Sequence, residues 1–433
     1  MTPTRETFGN IPLSSQLAFY ALALVAMGIF CWGVWRRWKL WQLGTPINFR
    51  GLITGNLAVV WKKIRAGTMR VAVDAGAQQR VRGHGLASYA HLSLYVGFMA
   101  LLAGTTLLEI DNIVSHVSAA LKFHHGLYYV IYEYTLDVLG LFFILGTLYF
   151  CWRRLHKPAA LGHRATDWYV LLSFLALGVT GYLVEALRIV WQQPTGLAAN
   201  CSPVGLWLAG FFASLGEPGA RSAHFAVWWI HAFLVFGFIA SIPFTRLFHF
   251  IAGPMNLFLA PPSLGILTPV TMEEVEKTER VGAGAIRHFS VQELLSLDAC
   301  MECGRCEEAC PAFATAKPLS PKRVVQDLKG LMEETAAGLA AGKKEFRALH
   351  EDTIKAETLW ACTACSACVE VCPVRIDQLK LIITMRRHLV AEGGLSGTAA
   401  TALRRMQSNA NPWGLPPAER AAWRDSLTTT PSL

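Results

Sequence analysis

Cys300-Met301-Glu302-Cys303-Gly304-Arg305-Cys306-Glu307-Glu308-Ala309-Cys310-Pro311 and Cys362-Thr363-Ala364-Cys365-Ser366-Ala367-Cys368-Val369-Glu370-Val371-Cys372-Pro373 are two versions of one string. Each spaces four cysteines by two, two and three residues and closes on Cys-Pro, the ligand pattern of a [4Fe-4S] centre. Zinc also uses cysteines two residues apart, but it leaves no role for the third evenly spaced cysteine of each run or for the repeated proline. Two such runs imply two clusters and the transfer of single electrons. Between them, residues 321 to 358 carry helix formers and alternating charges, including Glu333, Glu334, Lys343, Lys344 and Glu345, which predict solvated helices that bring the runs together.

Upstream, the chain is built for lipid. Apolar stretches of membrane-spanning length occupy about 14–35, 85–108, 126–152, 167–191 and 224–251. The apolar piece at 203–216 is shorter and is bounded by Pro203 and Gly216-Glu217-Pro218-Gly219, so it reads as interfacial or re-entrant. The first stretch is followed by Trp35-Arg36-Arg37-Trp38-Lys39 without a small-residue cleavage site, which excludes a cleaved signal peptide.

The formal charge of +9 is a topology signal rather than a nucleic-acid patch. Arg36, Arg37, Lys39, Arg50, Lys62, Lys63, Arg65, Arg70, Arg80 and Arg82 lie between spans 1 and 2, and Arg153, Arg154, Lys157 and Arg164 between spans 3 and 4. The opposite loops hold only Lys122, Arg188 and Arg221. The positive-inside rule therefore predicts a multi-pass protein of the cell (inner) membrane, with the N-terminus outside and everything after span 5 cytoplasmic. The eight ligand cysteines then fall in a reducing compartment, where disulfides are not expected. Cys31, Cys151 and Cys201 read as unpaired packing residues.

Histidines in the apolar spans carry the second chemical signal, because a polar ring there needs a partner. His231 and His249 are 18 residues apart, five turns of one helix, and His224 shares their stripe. Spans 2 and 5 run in opposite directions, so His91 and His249 lie at matching depth near the cytoplasmic side, as the two axial ligands of a b-type haem require. His231 lies in the outer half. Span 2 offers Leu101, Gly104, Thr105 and Thr106 at that level. A second haem there would draw on His124 or His125, with His116 more remote; otherwise His231 and His224 line a polar cavity. Of the acidic residues in or beside the bilayer, Glu109 and Asp111 read as solvated loop-end charges, with a proton relay the alternative. Asp137 reads as either a structural hydrogen bond or a haem contact.

The stretch from His91 through Gly97-Phe98 to Gly104-Thr105, and that from His231 through Ile242-Pro243-Phe244-Thr245-Arg246-Leu247-Phe248-His249, resemble the cytochrome b (gamma) subunit of respiratory nitrate reductase. There two bis-histidine haems are held between the second and fifth helices. The resemblance implies that His91 and His249 hold the inner haem and that His231 is one ligand of an outer haem, with Leu101 where its other ligand would stand. The order of parts, through Lys317-Pro318-Leu319-Ser320-Pro321-Lys322 to Asn411-Pro412-Trp413-Gly414-Leu415-Pro416-Pro417, resembles membrane iron–sulfur reductases related to heterodisulfide reductase. Some members are proposed to link electron-transfer flavoprotein to quinone. The family's crossing rule implies one cubane on Cys300, Cys303, Cys306 and Cys372, and the other on Cys362, Cys365, Cys368 and Cys310. Family members usually continue into Cys-Cys-Gly domains. This chain has no such motif, so a separate subunit would carry that centre or the chain would act purely as an electron conduit.

The expected fold is an all-α membrane protein, a five-helix transmembrane cytochrome b bundle followed by a helical two-[4Fe-4S] ferredoxin domain. The expected boundaries are 1–251 for the haem b domain, 252–296 for a Pro-rich and then acidic linker, 297–393 for the ferredoxin domain, and 394–433 for an extended C-terminal tail. Gly282-Ala283-Gly284 lacks the third glycine and preceding strand of a dinucleotide site. The expected function is electron transfer between membrane quinone or quinol and a cytoplasmic redox partner, such as a flavoprotein or a Cys-Cys-Gly iron–sulfur subunit. The alternative is the membrane subunit of a disulfide reductase whose catalytic centre lies on that second subunit.

Overall fold

The computed structural model describes residues 4, 7–46, 57–83, 85–156, 165–343, 345–395 and 397–424, and no strand forms among them. Arg50, Lys157 and Arg164 of the basic loops, and Lys344, lie outside the described residues. Five helical segments are long and apolar enough to cross a bilayer. They are α1 (Leu13–Trp41), α3 (Leu86–Val117), α4 (Gly126–Leu155), α5 (Ala165–Gln192), and a fifth built from α6 (Pro203–Phe212) and α7 (Gly216–Ser241). Amphipathic α2 (Leu57–Arg70) lies between the first two. Glycine lets α3 and α4 close on each other: a methyl group at Gly97 would sit 2.6 Å from the Leu139 carbonyl oxygen.

The short apolar segment is a helix packed on α5. Pro203 occupies its first turn, where a missing N–H costs nothing. The Asp137 carboxylate reaches across from within α4 to accept from the N–H groups of Val204 (2.8 Å) and Gly205 (3.0 Å). Asp137 is thus a helix cap, the structural of its two expected roles.

The stretch 224–251 is not one helix. α7 stops at Ser241, two 3₁₀ turns follow over Ile242–Phe244 and Arg246–Phe248, and α8 (His249–Leu259) starts afresh. Pro243 brings no N–H and Thr245 is extended, its hydroxyl accepting from Leu247 N–H. The five-turn phase between His231 and His249 therefore does not pass through a continuous helix. His249 is placed by this break.

Beyond α8, residues expected to be a linker join a packed core. α9 (Val291–Ala299) opens with a capping box between Ser290 and Glu293. α10 (Pro321–Ala340) buries Val324, Leu328, Leu331 and Met332 along one stripe, and α11 (Gln378–Ala391) closes over them with Leu381, Ile382 and Met385. Gly282 and Gly284 pack against α11: a Cβ at Gly282 would meet the Thr384 carbonyl oxygen, and one at Gly284 the His388 ring. This close approach accounts for the glycine pair without a cofactor.

The same core takes in Trp41, Phe248 and Ala252 from the ends of the bundle. At 29 residues α1 is about 43 Å long, more than the roughly 30 Å hydrocarbon layer, and its last turns enter the second domain. There Trp41 Nε1 donates to Asp298 Oδ2 at 2.8 Å, while Arg37 and Lys329 pair with Asp298 Oδ1 at 3.3 and 3.0 Å. The π-helical turn Val71–Gly76 that continues α2 adds a clamp, with Asp74 Oδ2 2.6 Å from Arg375 and 3.7 Å from Arg80. The tail holds α12 (Gly397–Asn409), a helix that buries none of its residues, where an extended segment was expected.

Candidate redox centre

The two cysteine runs fold into the same backbone. Glu302 and Gly304 have φ of 59° and 84°, and Ala364 and Ser366, at the same offsets in the second run, have 56° and 63°. Left-handed residues at these points turn the loop inward, a conformation that three non-glycine residues adopt at some cost. Cys306 lies within electrostatic reach of Cys300, Cys303, Cys372 and Cys368. Cys368 lies within reach of Cys362, Cys310 and Cys365. The last cysteine of each run thus comes near the other run, a placement compatible with the crossed ligand sets implied by resemblance. Among the described residues no three His, Cys, Asp or Glu side chains close together as ligands of a single metal ion.

Backbone N–H groups aim at the sulfurs: Ile376 donates to Cys372 Sγ at 3.3 Å and Ala364 to Cys362 Sγ at 3.4 Å. Such bonds tune the potential of a bound cluster. Burial, joined by neighbouring thiolates, pushes the Cys368 and Cys372 thiols up to about 12 and the Cys306 thiol higher still. In the iron-free chain these thiols stay protonated at neutral pH, so iron must displace their protons. In the unfolded chain they ionise near the ordinary value of 9.0. Between pH 9 and about 12 the unfolded state then binds fewer protons than the folded one, and stability falls as pH rises. Chemical denaturation of the iron-free protein at pH 8 and pH 10 should give a lower midpoint at pH 10.

His91 and His249 lie within electrostatic reach of each other at the end of the bundle that faces the cysteines. His249 Nδ1 is 2.7 Å from the Arg246 carbonyl oxygen and must donate to it, which leaves Nε2 as the free lone pair. His91 Nδ1 is buried and makes no hydrogen bond among the described residues. A paired set of imidazoles, one with its tautomer fixed by a carbonyl, fits the axial ligation of a haem. Phe150 packs edge-on to His91 and Phe250 to His249, with ring centroids 6.5 and 4.5 Å apart.

Arg246 ties this pair to the clusters. Its carbonyl holds His249, Nη2 lies 2.9 Å from Glu302 between Cys300 and Cys303, and Nε lies 2.9 Å from Asp167, which also binds Arg154 at 2.8 Å. Arg305, inside the first run, donates to the carbonyls of Arg80 (2.8 Å) and Val81 (3.2 Å) and lies within electrostatic reach of His91. Sequence reading passed over both arginines. The available signal was their position, one three residues before His249 and one between two ligand cysteines.

At the far end of the bundle His231 and His224 both line a cavity of about 830 Å³, and so does Leu101. His125 does not line it; it is exposed, just before α4. His124 is fully buried beside Asp111, with Nδ1 3.6 Å from Oδ1. Asp111 is not solvated but 1% exposed, and it holds the α3–α4 turn by accepting from Phe123 N–H at 2.7 Å and His124 N–H at 3.1 Å.

Residues 56–266 match the nitrate reductase gamma subunit family, and residues 296–376 match the 4Fe-4S dicluster domain. The chain joins a nitrate reductase gamma-type domain to a 4Fe-4S dicluster domain. Its five membrane-length apolar helices make it a membrane protein, and its second domain matches a family that holds iron–sulfur clusters. Over 98% of its length it is 31% identical to the EtfAB:quinone oxidoreductase of Syntrophomonas wolfei, and over 95% it is 27% identical to a probable iron–sulfur-binding oxidoreductase of Bacillus subtilis. It spans 61% of the length of each of these relatives. A shorter match, 28% identical over 32% of this chain and 35% of the relative, is to one of the polypeptides of the dihydromethanophenazine:CoB–CoM heterodisulfide reductase from Methanosarcina barkeri. No solved structure matches the chain. The gamma-type domain holds every histidine considered above as a haem ligand, and the dicluster domain holds all eight ligand cysteines.

Proposed function

We propose that the chain carries electrons between the membrane quinone pool and a cytoplasmic redox partner. His91 and His249 hold a haem b, and the crossed sets Cys300, Cys303, Cys306, Cys372 and Cys362, Cys365, Cys368, Cys310 hold two [4Fe-4S] clusters. These groups supply one-electron chemistry; the protein supplies their spacing and field. The observation that carries the reading is Arg246, which grips His249 by its carbonyl and Glu302 by its guanidinium and so sets the histidine pair directly against the first cysteine run. Arg37, Arg80 and Arg154, from the described parts of the basic segments, reach the dicluster domain directly or through Asp167 and Arg246, which supports a cytoplasmic side for that domain and an N-terminus outside. Cys365 alone of the eight ligands is exposed, so the partner meets the chain at that edge.

The relatives' names support quinone on one side and leave two kinds of partner on the other. A flavoprotein fits the first relative's name. A Cys-Cys-Gly subunit fits the match to heterodisulfide reductase, and would make this chain the membrane arm of a disulfide reductase. Anaerobic addition of a short-chain quinol to the oxidised protein, followed by haem absorption and cluster paramagnetic signals together, should reduce haem and clusters. If only dithionite reduces them, electrons do not enter from quinol.

A further inference from the structure

We propose that α2 (Leu57–Arg70) lies in the headgroup layer on the dicluster side of the membrane and binds anionic phospholipid there, with Lys62, Lys63 and Arg65 meeting the phosphates. The interaction is independent of the direction of electron flow and of the haem and quinone assignments.

The helix reads Leu-Ala-Val-Val-Trp-Lys-Lys-Ile-Arg-Ala-Gly-Thr-Met-Arg and holds no acidic residue. At about 100° per residue, Leu57, Trp61 and Ile64 fall on one stripe about 60° wide. They are 83%, 67% and 40% exposed. Arg65 and Lys62 border the stripe on one side, and Lys63, also exposed, adds a third charge. None of these three cations pairs with a described residue. An exposed apolar stripe beside unpaired cations, with a tryptophan at its centre, is the pattern of a helix lying in the plane of the interface.

The other side of the stripe is held to the protein. Arg70 Nε and Nη2 donate to the carbonyls of Leu257 and Phe258 in α8 at 2.9 and 3.0 Å. A Cβ at Gly67 would sit 2.7 Å from the Phe258 carbonyl oxygen, so glycine allows this close approach. α2 is thus fixed beside the end of the broken fifth span, and Asp74, in the turn that follows it, is clamped to Arg375 of the dicluster domain. The apolar stripe is left facing outward, next to the lipid-facing surface of the bundle. Anionic headgroups supply the charge that this face lacks, and acyl chains cover its apolar residues. Binding of α2 to the leaflet braces the dicluster domain against the bilayer.

The test places the purified full chain in nanodiscs of phosphatidylcholine, alone or mixed with phosphatidylglycerol, and follows amide hydrogen exchange. Each basic residue near an anionic surface strengthens association about fivefold, so three should slow exchange of the α2 amides about 100-fold when phosphatidylglycerol is present. Lys62→Gln/Lys63→Gln/Arg65→Gln should lose that difference, while peptides of α9, α10 and α11 exchange as in the parent. Equal α2 exchange in the two lipid mixtures overturns the proposal, because a face that meets a protein partner, or water alone, does not respond to headgroup charge. Full phosphatidylglycerol protection in the triple variant overturns it as well. The parent comparison decides the matter even where the variant fails to fold.

Discussion

His249→Ala should abolish most of the b-type absorption and slow reduction of the clusters by quinol more than about 100-fold. Loss of a group that merely orients a metal ligand costs about 10–100-fold in affinity or activity, and this substitution removes the ligand itself. His249 is also the residue whose geometry is most constrained, by the break at Ser241 and by the Arg246 carbonyl 2.7 Å from its Nδ1. His91→Ala should have the same outcome, because the proposed haem draws one axial ligand from each imidazole. The check is haem per chain by pyridine haemochrome, together with iron per chain. Haem should fall while cluster iron stays, since no cysteine ligand is touched. A full haem complement in both variants would place the haem elsewhere.

Cys372→Ser should destroy the cluster of the first cysteine run while sparing that of its own run. Linear reading of the sequence predicts the opposite, and the difference is what the proposed crossed assignment requires, with Cys372 near Cys300, Cys303 and Cys306. Cys310→Ser should be its mirror image. Iron should drop by about half in each variant, with different surviving paramagnetic signals. A double variant should lose both. If both single variants lost the same signal, the crossed assignment would fail.

How far the chain could be read in advance depended on whether a feature is local. Cysteine spacing is local chemistry, and apolar runs of about 20 residues have one stable outcome in a bilayer, so the ligand strings and spans were legible. Matching His91 with His249 needed only span direction and depth. The break at Pro243 was written in the sequence, yet the apolar run through it hid the stop. Asp111 misled, and Asp137 stayed open between two roles, for a different reason: their partners, the N–H groups of Phe123 and His124 and of Val204 and Gly205, are backbone groups whose positions exist only after folding. The position of Arg246 before His249 marked it, but its partner Glu302 is 56 residues away and was not legible. The tail helix was missed because its Ala, Thr and Arg residues form a helix without a buried face.

Trp41 and Asp298 bear on how the protein is made. Trp41 is synthesised some 250 residues before the α9 segment that receives it, and Asp298 is buried only once Arg37, Trp41 and Lys329 surround it. Left without these donors, a buried carboxylate would cost about 3–5 kcal/mol, a large share of any domain's stability. On its own the iron–sulfur half keeps only Lys329 against this carboxylate, so its interior is completed by the end of the first helix, and iron loaded before that helix docks would meet an incomplete mould.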